Sequence, residues 1–167
     1  MDLYQSIQRR YSCRAYQSRP VPDEVLLRIM EAVRLAPSAR NSQNWKFYWV
    51  QNPELKRKLQ IAANNQSFVA QADCVVVGVG TQPDHIMRCG HPAFLIDLSI
   101  AMEHLALAAA AEGLGTCWIG AFYQDPVIQV LDLPASEKPV QLMTVGYPAD
   151  QWRPKARKPL SDIMIRR

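Results

Sequence analysis

Three guanidinium groups and a hydroxyl fall within six residues of the stretch RRYSCRAY, where Arg9, Arg10 and Arg14 surround Ser12. Guanidinium forks bind phosphate oxygens through paired hydrogen bonds, and cations so crowded repel one another unless an anion sits among them. At the other end, Arg153 to Arg167 contains six basic residues and one acidic residue, a net charge of +5. Met1 to Trp152 contains thirteen basic and fourteen acidic residues, net −1, so the body of the chain is nearly neutral. Ordinary surface arginines or a solvated tail would explain either end alone. A nucleic-acid footprint would need a broad positive stripe with aromatic or helical elements interleaved, whereas the tail offers Pro154, Pro159 and no aromatic beyond the adjoining Trp152. A compact anion site is the more economical expectation, with no nucleic acid as partner.

Two further clusters could serve a ligand. APSARNSQNW places Ser38, Asn41, Ser42, Gln43 and Asn44 after a proline, between a helix and a strand, where short hydrogen-bonding side chains could grip a heterocycle edge or a polyol. GLGTCWIG supplies Gly113, Gly115 and Gly120, where backbone amides can approach a flat ligand closely. Capping and tight packing account for the first two of these glycines but not for the third. Neither GVGTQP nor GLGTCWIG has the strand-turn-helix context and third glycine of a dinucleotide turn. Cys13, Cys74, Cys89 and Cys117 include no C-x-x-C pair, so no disulfide framework or zinc ribbon is indicated. His85, Cys89 and His91 lack a second pair at metal spacing, so no metal is expected.

The elements that must position these groups are read from periodicity. Leu3, Tyr4 and Ile7 predict a short first helix ending near the arginines. VPDEVLLRIMEAVRLAPS predicts a second, with Pro22 in its first turn and Pro37 ending it. NWKFYWVQ reads as a strand, NPELKRKLQIAA as a helix opened by Asn52, and the continuous run DCVVVGVG as a central strand covered on both faces. Residues 93 to 112 form a helix roughly 30 Å long by its rise per residue, apolar nearly all round, which in a small domain points to a subunit interface. TCWIGAF and VQLMTVGYP supply two more strands, separated by a short helix opened by Asp125. Asp97, Glu103 and His104 within the most apolar segment argue against a bilayer, and no stretch has the order of a signal peptide. One soluble, cytoplasmic domain spanning residues 1–167, of α/β or α+β class with helices on both sheet faces, is expected.

The order of these motifs resembles the FMN-dependent nitroreductases: RRYSCRAY, APSARNSQNW, DCVVVGVG, the long apolar helix leading into GLGTCWIG, and GYPADQWRPKARKPL. The resemblance implies an α+β fold with a central, mostly antiparallel sheet, and a homodimer with FMN at the interface and the long helix buried there. It assigns Arg10, Tyr11, Ser12 and Arg14 to the first flavin-binding stretch. Arg10 and Ser12 would face the phosphate and ribityl chain, and Arg14 the pyrimidine edge. Pro37, Ser38 and Asn41 would come from the partner subunit, Asn65 would contact the flavin, and Trp118, Ile119 and Gly120 would lie beside the ring. Lys155 and Arg157 would close on the phosphate, so that both basic ends meet on one group. The chain departs from the family pattern at Tyr11, where a small residue is common, and at Asn44, where proline is common. The implied reaction moves two electrons, by a ping-pong cycle, from NADH or NADPH to a small electrophilic acceptor such as a nitroaromatic or quinone. The flavin performs the chemistry, so no catalytic side chain is assigned. The alternative is a flavin-binding protein of this fold with another reaction, reductive dehalogenation or flavin breakdown, or with little turnover.

Overall fold

In the computed structural model, which describes residues 1–167, Trp45–Val50 (β1), Cys74–Gly80 (β2), Gly115–Ile119 (β3) and Lys138–Gly146 (β4) form one sheet. The strand order is β1-β2-β4-β3 and every neighbouring pair is antiparallel. Buried at all seven positions, β2 lies between β1 and β4, as its unbroken β-branched run requires.

Alternation along β2 sends its side chains into two cores. Val75, Val77 and Val79 join Leu142, Cys117 and Ile119 beneath α3 (Pro53–Ala62), the single-turn α4 (Phe68–Gln71) and α6 (Gln124–Leu131). Cys74 and Val76 join Met143 and Val145 beneath α2 (Asp23–Arg34) and α5 (Ala93–Ala111). Helix α1 (Leu3–Arg9), opened by an Asp2–Gln5 capping box, also packs on α5.

Helix α5 buries pairs of residues recurring every four positions: Ala93 and Phe94, Asp97 and Leu98, Ala101 and Met102, Leu105 and Ala106, Ala109 and Ala110. That spacing makes one stripe along the helix. The stripe reaches close to the sheet because β2 presents Gly78 and Gly80 there; a Cβ on Gly80 would overlap the Phe94 ring. By length and composition α5 could cross a membrane, but it packs on the sheet as a core helix. Its other side leaves Leu95, Ile96 and Ile100 exposed.

Element ends differ in detail from the sequence expectation. Pro22 precedes α2 as its N-cap, and α2 stops at Arg34 with Leu35 as cap, before Pro37 is reached. Tyr123, not Asp125, precedes α6, and Asp125 sits in its first turn. Asn52 caps α3 as expected, accepting hydrogen bonds from the N–H groups of Glu54 and Leu55. Gly113, at φ 77°, ends the turn after α5, and the chain then enters β3 at Gly115.

Gly115 has a steric duty. A Cβ there would stand 2.7 Å from Cys13 Sγ and 2.8 Å from Cys13 Cβ, so the missing side chain lets the N-terminal segment lie against β3. Gly115→Ala should cost about 1–3 kcal/mol through overpacking, read as a lower urea midpoint at unchanged slope. An unchanged midpoint would mean that the segment yields at no cost.

Candidate functional site

Residues 12–17 are sewn onto the outer edge of β3 and the exit of β4. Ser12 pairs with Thr116 in a parallel bridge and Tyr16 with Pro148 in an antiparallel one. Cys13 N–H donates to Thr116 O (2.9 Å), Gln17 N–H to Tyr147 O (2.9 Å) and Ala149 N–H to Ala15 O (2.8 Å). From Tyr11 to Arg14 successive side chains take opposite faces, and the alternation ends there, since Tyr16 is buried beside Cys13 and its hydroxyl donates to Cys13 O (3.0 Å). Cys13 is buried and Tyr11 half-buried on one face, leaving Ser12 and Arg14 exposed on the other with Arg10 beginning the same row.

Arg10 follows α1 as its C-cap, and the tail returns to the same place. Arg10, Lys155 and Arg157 line one cavity of about 460 Å³, with Trp152 and Glu103 on its wall. Lys155 Nζ donates to Ile7 O in the last turn of α1 (2.6 Å), satisfying a carbonyl at the negative end of the helix. Arg9 lies over the Trp152 ring, 5.7 Å from its centroid. Burial, and then the charges of Arg10 and Arg157, hold the Lys155 amine below the ordinary lysine range. Three cations crowded at that cost fit a phosphate, whose charge would relieve their repulsion.

The other expected site residues fall into two groups. Trp118 and Ile119 end β3 and lead to Gly120, which is exposed with nothing within 4 Å of where a Cβ would be. Asn65 is exposed at φ 56° in the turn after α3. That turn is tied to the segment after β3, since Tyr123 N–H donates to Ala62 O (2.9 Å) and Gln66 Nε2 to Ala121 O (3.5 Å). A β3-end group therefore gathers Asn65 with Trp118, Ile119 and Gly120. Pro37, Ser38 and Asn41 stand apart, and none of them lines the cavity of Arg10. Ser38 Oγ accepts from Gln43 N–H (3.0 Å), and Asp97 on α5 accepts from Ala39 N–H (3.0 Å). Within one chain this loop is fastened to α5, the helix whose other side is exposed. Ser42 Oγ, both amide atoms of the buried Asn44, and Asp97 Oδ2 are buried without a protein partner.

Four contributors escape sequence reasoning. Asp150, Trp152 and Glu103 shape the site, and Asp97 holds the loop. The usable signal was the alternation in RRYSCRAY, which sends Tyr11 and Cys13 inward and demands a polar partner there. Tyr11 has its hydroxyl committed to that partner, leaving its backbone as the part free to meet a ligand.

A family model described as Nitroreductase family matches residues 7–89 and 60–147. An NADH dehydrogenase of Thermus thermophilus is 30% identical over 196 aligned residues, covering 99% of this chain and 96% of that protein. An FMN reductase (NAD(P)H) of Bacillus subtilis is 31% identical over 175, covering 95% of this chain and 70% of that protein. A solved structure of a nitroreductase family protein from Clostridium novyi superposes with a TM-score of 0.85 at 31% identity, covering 90% of this chain and 87% of that one.

The inward partner is Asp150. Its Oδ1 accepts from the Tyr11 hydroxyl (2.7 Å) and the Cys13 thiol (3.1 Å), and its Oδ2 from Arg14 N–H (2.8 Å). Burial pushes the Cys13 thiol up to about 11 and raises Tyr11 as well, and the bond to Asp150 adds to both. Both groups therefore stay protonated donors at neutral pH. Burial alone would raise the Asp150 carboxyl, but the bonds from Arg14, Tyr11 and Cys13 outweigh it and hold the pKa below 3.8. A depressed folded-state pKa stabilises the fold above the ordinary value and loses that contribution as pH falls through the lowered one. Asp150→Asn should therefore cost about 2 kcal/mol at neutral pH, with parent and variant converging in acid. Denaturant titrations at several pH values would show this; a constant difference across the acid range would refute it.

Proposed function

Because the chain belongs to the nitroreductase family, we propose that it is an FMN-dependent NAD(P)H oxidoreductase that reduces a small electrophilic acceptor, such as a nitroaromatic or quinone. The observation carrying the reading is the cavity where Arg10 from one end of the chain meets Lys155 and Arg157 from the other. When bound there, FMN supplies hydride acceptance from NADH or NADPH and two-electron delivery to the acceptor, in a ping-pong cycle.

The chain's part is to hold, orient and bias. Arg10, Lys155 and Arg157 grip the phosphate, and Ser12 on the outward row of the N-terminal segment meets the ribityl chain. Arg14, two residues on along that row, brings a fixed positive charge to the pyrimidine edge, where reduction leaves negative charge. Asn65 and the backbone from Trp118 to Gly120 border the ring, and the bare Gly120 leaves room for a flat ligand. No side chain is required to act as nucleophile, acid or base. Pro37, Ser38 and Asn41 act on the flavin of a partner subunit, which fits their separation from Arg10 within one chain. The homodimer is further supported by the row Leu95, Ile96 and Ile100 on α5 and by Leu3, Tyr4 and Ile7 on α1, all exposed in the single chain. A cytoplasmic setting supplies the reduced nicotinamide donor.

The purified protein should be yellow and release FMN, and should oxidise NADH or NADPH with menadione or a nitroaromatic, giving parallel double-reciprocal lines. A protein that stays colourless after incubation with FMN sinks the reading; tight flavin without turnover favours another reaction on the same fold. Arg157→Ala should weaken FMN by about ten- to a hundredfold, the loss of one charge-assisted pair. Arg14→Ala should lower the reduction potential of the bound flavin, and an unchanged potential would remove Arg14 from that role.

A further inference from the structure

The cavity between the two ends contains one group that a phosphate cradle does not need. Glu103 on α5 is the sole carboxylate on its wall, with Oε1 3.8 Å from Arg10 Nε. This is an ion pair beyond hydrogen-bond range, and the Glu103 side chain is 44% exposed against 18% for Arg10. A loose, open pair of this kind contributes little to holding the guanidinium. Arg10 is positioned instead by its backbone, whose N–H donates to Ser6 O at the end of α1 (2.8 Å). The backbone of Glu103 is fixed at the cavity wall, because its helix is packed on the sheet through Ala101, Met102, Leu105 and Ala106 on either side of it.

Resting on the flavin reading above, we propose that Glu103 is a resident competitor for the phosphate, a specificity-determining counter-charge that weakens the cradle and keeps FMN exchangeable. Its attraction to Arg10, Lys155 and Arg157 is present with and without ligand and so cancels in the binding equilibrium. On binding it faces a phosphate ester carrying nearly two negative charges, which destabilises the liganded state. Even in a water-like dielectric, one unit-charge pair near 4 Å alters an equilibrium constant about fivefold. Doubling the charge on the ligand doubles that energy and so squares the factor, making about twenty-fivefold the expected scale at such a spacing. The net +2 of the four charged groups thus grips a phosphate more weakly than the +3 of the cations alone.

The test is the preference of the full-length chain for FMN over riboflavin, which lacks the phosphate, measured by fluorescence titration at low salt. Glu103→Gln and Glu103→Ala should each raise that preference about twenty-fivefold at low salt, and high salt should shrink the gain. The ratio is taken within each variant, so a general disturbance of the ring site cancels. A preference unchanged or lowered in both variants overturns the proposal while leaving the phosphate reading intact. A parent chain that does not prefer FMN to riboflavin overturns the phosphate reading itself, and the role of Glu103 with it.

Discussion

The carboxylate of Asp150 sets the phase of the N-terminal segment, and the rest of the site depends on that phase. An extended strand has two faces, and a slip of one residue exchanges them. By accepting from Tyr11 and Cys13 on one face and from the backbone of Arg14, Asp150 fixes which side chains turn inward. Arg10, Ser12 and Arg14 then have to turn outward together. Hydrophobic burial would not secure this unaided, because Tyr11 is only half-buried. Gly115 completes the arrangement by leaving room for Cys13 against β3. A hydrogen-bonded carboxylate and a missing side chain, more than 30 residues apart, together convert a basic stretch into an oriented row.

Helix α5 extends that order to the remainder of the site. Its buried stripe is set by the sheet through Gly78 and Gly80, so every other position on it is fixed in rotation. Asp97 therefore meets the Ala39 loop, Glu103 meets the cavity, and Leu95, Ile96 and Ile100 face outward. Loop anchor, cavity charge and exposed apolar row are coupled by one rigid body. A change that rotated α5 would disturb all three at once, and this coupling explains why a helix apolar nearly all round still carries two acidic residues.

Much of this is legible in the sequence, and what is not has a common physical cause. β2 and α5 can be read directly because burial on both sides leaves unbroken apolar runs, and Asn52 can be read as a cap because its partners are two and three residues away. The meeting of the basic ends is legible through charge, since crowded cations need an anion wherever they stand. Asp150 is different: in ADQW it looks like a turn residue, and its partners lie 136 to 139 positions earlier. Glu103 reads as an interruption of an apolar helix until the rotation of α5 is known. The four-residue α4 is too short for periodicity to register, and the ends of α2 and α6 move by a residue or more because backbone geometry there outweighs the local side chains. Interactions local in sequence leave a pattern that can be read, whereas those made by single residues across the fold do not.

The same charges bear on the tail. Residues 153–167 are exposed apart from the half-buried Lys155, and the hydrogen bond from Lys155 to Ile7 is the only one they make to the body. Closing the tail brings Lys155 and Arg157 toward Arg10, where burial first, and then the charges of Arg10 and Arg157, hold the Lys155 amine below the ordinary lysine range. An anion in the cavity favours closure as much as closure favours the anion, because linkage is reciprocal. On the flavin reading the phosphate is therefore a structural partner of the tail as well as a ligand. Glu103 substitutes for it in part, lowering the cost of closure in its absence at the expense of affinity in its presence. The sequence accordingly places its basic excess where a ligand can act on the fold, at two ends that the remaining contacts hold together only lightly.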